Sequence, residues 1–146
     1  MAVSVEQWCE EVRKYVGVPY RHQGRNQYGL DCVGLVVFCM DNLGILPEGY
    51  KAPHNYGYNV TQKLIEHIAD WCEPTDVLEP GTMLSIRYAK HLPTTHVLLY
   101  MGGKHNTFVH STGVGVRKGV QEVRYGEPWV RRTTGIWRLP GIHSSV

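Results

Sequence analysis

The amino-acid sequence predicts an α+β fold, with N-terminal helices packed on a C-terminal antiparallel β-sheet. Three observations carry that prediction. Apolar residues at helical spacing are confined to the first half of the chain. The second half consists of short apolar runs separated by Gly-rich turns, the pattern of an antiparallel sheet. Nowhere do helix and strand patterns alternate as parallel βαβ units require.

The elements follow in order. Ser4 and Gln7 have the spacing of a capping box. Val5, Trp8, Cys9, Val12, Tyr15 and Val16 recur at helical spacing, so residues 5–16 are expected to form an amphipathic helix that stops at Gly17. Residues 17–30 read as a loop, with Pro19, Gly24, Gly29 and many polar side chains. Residues 32–43 are apolar on nearly every side, which marks a buried helix. Asp31 can cap it and Gly44 can end it. Its β-branched run favours a strand, but length and caps favour the helix. A second loop covers 46–59, and a third helix is expected over 60–71. Candidate strands are 82–88, 96–101, 107–111, 114–117, 121–125 and 135–139.

Length and composition set limits on function. The chain has 146 residues and is expected to be one domain, 1–146. At 42% hydrophobic and 19% charged it can bury a core and does not resemble a disordered chain. A net charge of +2 is too small to suggest a nucleic-acid partner. The N-terminus lacks the pattern of a signal peptide, and the apolar run 33–40 is too short to span a bilayer. Synthesis in the cytoplasm is therefore expected. Cys9, Cys32, Cys39 and Cys72 match no zinc spacing. On one helix, Cys32 and Cys39 would be separated by a rise of about 10.5 Å, too far for a disulfide. Four reduced thiols are expected, one reactive and three packed in the core.

Cys32 is the sharpest chemical feature. It falls in the first turn of the buried helix, straight after the Gly-rich loop. The unpaired N–H groups there favour a thiolate and can hold an oxyanion. A buried structural thiol is the competing reading and the commoner fate of cysteine. His96 opens the apolar run His-Val-Leu-Leu-Tyr-Met, where a polar residue lies at a strand end. A satisfied edge histidine would look the same. His110 adds geometry. If Met101 pairs with Thr107, Leu98 faces His110, and His96 shares a face with His110 as its diagonal neighbour, about 7–8 Å away. Nucleophile, base and orienting group would then be Cys32, His96 and His110. No metal is expected: His91 and His96 would need further ligands that this strand reading does not bring together.

Four motifs in order carry a resemblance. They are Gly17-Val-Pro-Tyr-Arg-His-Gln-Gly, Gly29-Leu-Asp-Cys-Val-Gly-Leu, His96-Val-Leu-Leu-Tyr-Met-Gly and Phe108-Val-His-Ser. Together, over residues 5–111, they resemble the NlpC family of papain-like peptidases, which cut peptidoglycan stem peptides. The Tyr20-Arg-His-Gln-Gly-Arg and Asp31-Cys-Val-Gly-Leu forms look most like the phage and prophage branch near tail genes. The resemblance implies Cys32 as nucleophile, His96 as base, His110 as orienting residue and the Tyr20 hydroxyl at the oxyanion. His22, beside Tyr20 in the loop, is placed on the substrate-binding side. So is Asp31, although its main part is to cap the helix. The chain departs from the family at Val33, where serine is common, and at Gly81-Thr82, where Gly-Asp is common.

The expected activity is amide hydrolysis through a thioester, after γ-D-glutamate in a stem peptide, with no cofactor. The expected partners are the stem peptide and phage tail proteins, and the expected place of action is the cell wall, reached from a virion tail. Two rivals stand beside this reading: an amidase or acyltransferase of the same fold, and a structural tail-assembly subunit whose site is idle.

Overall fold

The structure is a computed structural model and describes residues 2–47, 66–67 and 70–143. Most of the helix expected over 60–71 lies outside the described residues.

Strand β1 (Val3–Ser4) leads directly into helix α1 (Val5–Arg13). The capping box forms in full: the Gln7 N–H donates to Ser4 Oγ at 3.1 Å, and the Ser4 N–H donates to Gln7 Oε1 at 2.8 Å. Val5, Trp8, Cys9 and Val12 turn inward. The helix ends earlier than its periodicity suggests. The N–H groups of Lys14, Tyr15 and Val16 donate to carbonyls three residues back, so the last turn tightens. Gly17, at φ +101°, then turns the chain so that its N–H reaches the Val120 carbonyl at 2.8 Å. Glu11 is buried in α1, where Lys14, Tyr15 and Asn42 all donate to its carboxylate.

The following loop carries a small ribbon, β2 (Arg25–Asn26) against β3 (Gly29–Leu30). Helix α2 (Cys32–Asn42) is buried on most sides, as its uniform apolarity requires. Gly34 is needed there, because a Cβ on it would lie 1.9 Å from the Gly24 carbonyl oxygen. The loop therefore packs directly on the first turn of α2.

The sheet has six antiparallel strands in the order β4-β9-β5-β6-β7-β8. These are β4 (Glu73–Pro74), β5 (Thr82–Ile86), β6 (His96–Gly102), β7 (Thr107–Thr112), β8 (Gly119–Arg124) and β9 (Thr133–Arg138). A one-turn helix α3 (Trp129–Arg132) precedes β9, and β10 (Ile142–His143) returns to pair in parallel with β1. The α+β prediction thus holds. Strand 114–117 does not form. Val114 and Val116 lie exposed in a bend between Gly113 and Gly119, where no neighbour buries their side chains. Apolar alternation there has no packing to support it.

Strand alternation divides the core. Val97, Leu99, Met101, Met83 and Val109 pack with both helices. Leu84, Ile86, Leu98, Tyr100 and Phe108 form a second cluster with Tyr125. Cys9, Cys32 and Cys39 are buried thiols, and Cys72 is half-buried. Among the described residues no helix is long and apolar enough to cross a membrane.

Candidate active site

The site is assembled where the start of α2 meets the start of β6. Asp31 holds the helix end. It is wholly buried, with Oδ1 accepting from the Gly34 N–H at 2.6 Å and Oδ2 accepting from the Gln23 N–H at 3.0 Å. One carboxylate thereby caps the helix and fixes the loop that crosses it. This is the geometry of a helix cap. Ser111 adds a second tie from the sheet: its hydroxyl donates to the Leu30 carbonyl at 2.5 Å, one residue before Asp31. Cys32 follows at the first helical position, 3% exposed.

His96 and His110 come from neighbouring strands. Leu99 pairs with Val109 and Tyr100 with Phe108, the register the sequence pairing assumes. The turn end differs, because a bulge sets Gly102 rather than Met101 opposite Thr107. The extra residue is absorbed beside the turn, so the strand interior keeps its faces. His96 and His110 therefore share a face, and His96 Nε2 lies 2.8 Å from His110 Nδ1. Both are buried, at 4% and 3% exposure. His96 Nδ1 is the ring nitrogen left for other work.

Electrostatics give the resting state of the cluster. Burial, and next the neighbouring His110, push His96 well below the ordinary imidazole value. Burial takes His110 down to about 4. Burial pushes the Cys32 thiol up to about 12, and the Asp31 carboxylate adds to the rise. The N–H groups of Val97, Val33 and Cys32 itself pull the other way. The helix-terminal effect expected from the sequence is thus present, but desolvation outweighs it. At neutral pH the closed site holds a thiol and two uncharged imidazoles.

Tyr20 is brought beside this cluster by an isolated bridge to Leu30 and by the N–H of Leu30 donating to the Pro19 carbonyl at 3.1 Å. Its ring packs over Gly113, where a Cβ would lie 2.7 Å from Cε1. Burial, followed by the charges of Asp31, Cys32 and Tyr88, pushes its phenol up to about 12. His22 lies half-buried in the turn two residues later. His91 and His105 are turn residues, and His143 pairs in β10 with Ser4.

The structure adds residues that no sequence motif marks. Tyr88 follows β5, with its ring centroid 5.6 Å from that of His96. Its phenol is raised to about 12 by burial, opposed by a hydrogen bond with Thr112 and reinforced by Cys32. Trp129, from α3, lies 5.3 Å from His110 and 6.4 Å from Tyr88. Phe108 lies 5.0 Å from His110. These rings wall the histidine pair off from water. Tyr88 and Trp129 escape a motif reading because they arrive from connections that only the sheet order brings together.

A helix-borne cysteine beside an antiparallel sheet bearing two hydrogen-bonded histidines defines a papain-like architecture. The NlpC/P60 family matches over residues 17–138, and the chain belongs to that family. Solved structures agree on the fold. An NlpC/P60 family protein from Bacillus cereus ATCC 10987 aligns over 96% of this chain and 41% of its own, at 17% identity and a TM-score of 0.65. NlpC2 from Trichomonas vaginalis aligns over 93% of this chain and 46% of its own, at 18% identity and a TM-score of 0.69. The NlpC/p60 domain of the peptidoglycan hydrolase SagA aligns over 94% of this chain and 100% of its own, at 18% identity and a TM-score of 0.61. The chain thus spans less than half the length of the first two. A search of curated proteins returns no match.

Proposed function

We propose that this chain is a cysteine endopeptidase that hydrolyses an amide bond in peptidoglycan stem peptides, after γ-D-glutamate, and that it belongs to the phage or prophage tail-associated branch of its family. The observations that carry the chemistry are the buried His96–His110 hydrogen bond and the seat of Cys32 at the start of α2, against the backbone of Val97, the residue next to His96. The substrate class rests on family membership and on the description of SagA as a peptidoglycan hydrolase. The tail association rests on the Tyr20-Arg-His-Gln-Gly-Arg and Asp31-Cys-Val-Gly-Leu forms.

The proposed steps run as follows. In the tautomer this mechanism requires, His96 Nε2–H donates to His110 Nδ1, 2.8 Å away, and Nδ1 of His96 serves as the base. As Cys32 Sγ bonds to the substrate carbonyl carbon, its proton passes to His96. The carbonyl oxygen takes the negative charge, held by the backbone N–H of Cys32 and the Tyr20 hydroxyl. His96 returns the proton to the leaving amine as the C–N bond breaks, giving a thioester. Water, deprotonated by the same imidazole, then hydrolyses the thioester and restores the thiol. Burial raises the thiol, which suits a proton transfer that accompanies bond formation. The wholly buried Cys32 equally suits a structural tail subunit with an idle site.

A panel of defined muropeptides separates the two. The peptidase reading expects cleavage at one amide, lost by at least about 10³-fold in Cys32→Ala and in His96→Ala. Full wall-cleaving activity in Cys32→Ala would overturn it. No cleavage by the wild type, with tail incorporation unaffected by Cys32→Ala, would favour the structural subunit.

A further inference from the structure

A second feature shares Tyr88 with the histidine pair and takes no part in the chemistry above. Arg87, Tyr88, Ala89, Lys90, Arg131 and Arg132 line a cleft of about 460 Å³. Four of these six residues are cationic, and none is acidic. Arg131 has a distant carboxylate neighbour, Glu127, at 3.9 Å. Among the described residues, Arg87, Lys90 and Arg132 have no carboxylate partner. Arg87 and Arg132 are nevertheless half-buried. Like charges gathered without counter-charge, partly out of water, repel one another unless an anion joins them.

The cleft is also organised. The Arg87 N–H donates to the Arg132 carbonyl at 3.0 Å, which fixes the two backbones against each other. The Arg132 guanidinium lies over the rings of Tyr88 and Trp129, at 5.8 and 5.4 Å from their centroids. Stacking holds its plane while leaving its edge free to bind. Tyr88 is shared: it lines this cleft and also lies against His96. A ligand seated here would touch the same Tyr88 ring that lies against His96. The volume suits part of a peptide, and a chain of net charge +2 lacks the broad basic face of a nucleic-acid binder.

We propose that this cleft is an anion subsite that holds a free carboxylate of the substrate next to the scissile amide, with Arg87 and Arg132 as its principal donors, so that the enzyme selects carboxylated over amidated stem peptides. This rests on the peptidase reading for its substrate. Arginine matches a carboxylate with two parallel N–H bonds, which a carboxamide cannot accept equally well.

The test uses two synthetic stem peptides that differ only in carrying carboxylates or carboxamides beside the γ-glutamyl amide. Calorimetry on the full chain with Cys32→Ala should show the carboxylate form bound about tenfold more tightly. In the wild type the same preference should appear in KM rather than kcat. Arg87→Gln with Arg132→Gln should abolish it, Arg132→Lys should restore part of it, and the exposed Lys90→Gln, which cannot disturb packing, should weaken it. Equal affinity for the two peptides, or a preference that survives both glutamines, would overturn the subsite while leaving the peptidase reading intact. If neither peptide is bound or cut, succinate and inorganic phosphate are titrated while the amide resonances of Arg87 and Arg132 are followed. Shifts with succinate, stronger than with phosphate, would support the carboxylate subsite and remove only the stem-peptide reading. Shifts with phosphate alone, or none, would overturn it.

Discussion

The two histidines are coupled to stability as well as to chemistry. Each is kept neutral by burial, so each binds a proton more readily in the unfolded chain than in the folded one. A group whose folded value is depressed stabilises the fold above its unfolded value, and that contribution is lost as pH falls. For His110 the window runs from 6.5 down to about 4. Stability should therefore decline on acidification across this window, by up to about 3 kcal/mol from His110. Urea midpoints measured at pH 7, 6, 5 and 4 check this, and His110→Gln should flatten the profile. A profile that stays level in the wild type would mean that the pair is hydrated. Cys32 has the opposite sign: its raised thiol contributes stability that is lost only above about pH 9. The same shift predicts slow alkylation of resting Cys32 by iodoacetamide at pH 7, accelerating as pH rises past the value for an ordinary thiol. Fast alkylation at pH 7 would show that the site opens in solution.

At the scale of elements, the site depends on how closely the loop packs on α2. Propensity alone predicts that Gly34→Ala, inside a helix, stabilises the protein by about 1 kcal/mol. The structure reverses that sign, because the added Cβ would meet a backbone oxygen at 1.9 Å and crowd the Asp31 carboxylate at 3.0 Å. The substitution should destabilise by about 3 kcal/mol, or on the order of 10 °C in Tm, and depress kcat by shifting Tyr20 and Cys32 together. A thermal scan beside a single-substrate assay tests both parts. Unchanged Tm and kcat would mean that the loop yields freely. Elements also explain where periodicity failed. Helix α1 has apolar residues at helical spacing through Val16, yet its final turn tightens, and Gly17 ties the chain to β8. The run 114–117 alternates like a strand, yet no neighbouring strand takes it up.

At the scale of the molecule, the described ends of the chain meet. Strand β1 pairs with β10, and the Val3 N–H donates to the Gly141 carbonyl at 2.8 Å. Ile142 packs against the core that α1 and α2 share with the sheet. This clasp holds the helical layer onto the sheet. Deleting residues 141–146 should cost about 2 kcal/mol. Urea unfolding measures the loss, and an unchanged midpoint would show that the clasp bears no part of the stability.

The local grammar of this protein was legible in its residues. Ser4 and Gln7 announced a capping box, Asp31 a cap, and the even apolarity of 32–43 a buried helix; each follows from interactions within a few residues. The shared face of His96 and His110 was legible too, because strand alternation is strict once a register is chosen. Tertiary structure alone decided what depends on neighbours distant in the chain. It set the extent of burial that overrides the helix terminus at Cys32, and it selected the bulge at Gly102. It also brought Tyr88, Trp129 and the arginines of the basic cleft together beside His96. Periodicity reports which face of an element is apolar; it carries no record of what that face will meet.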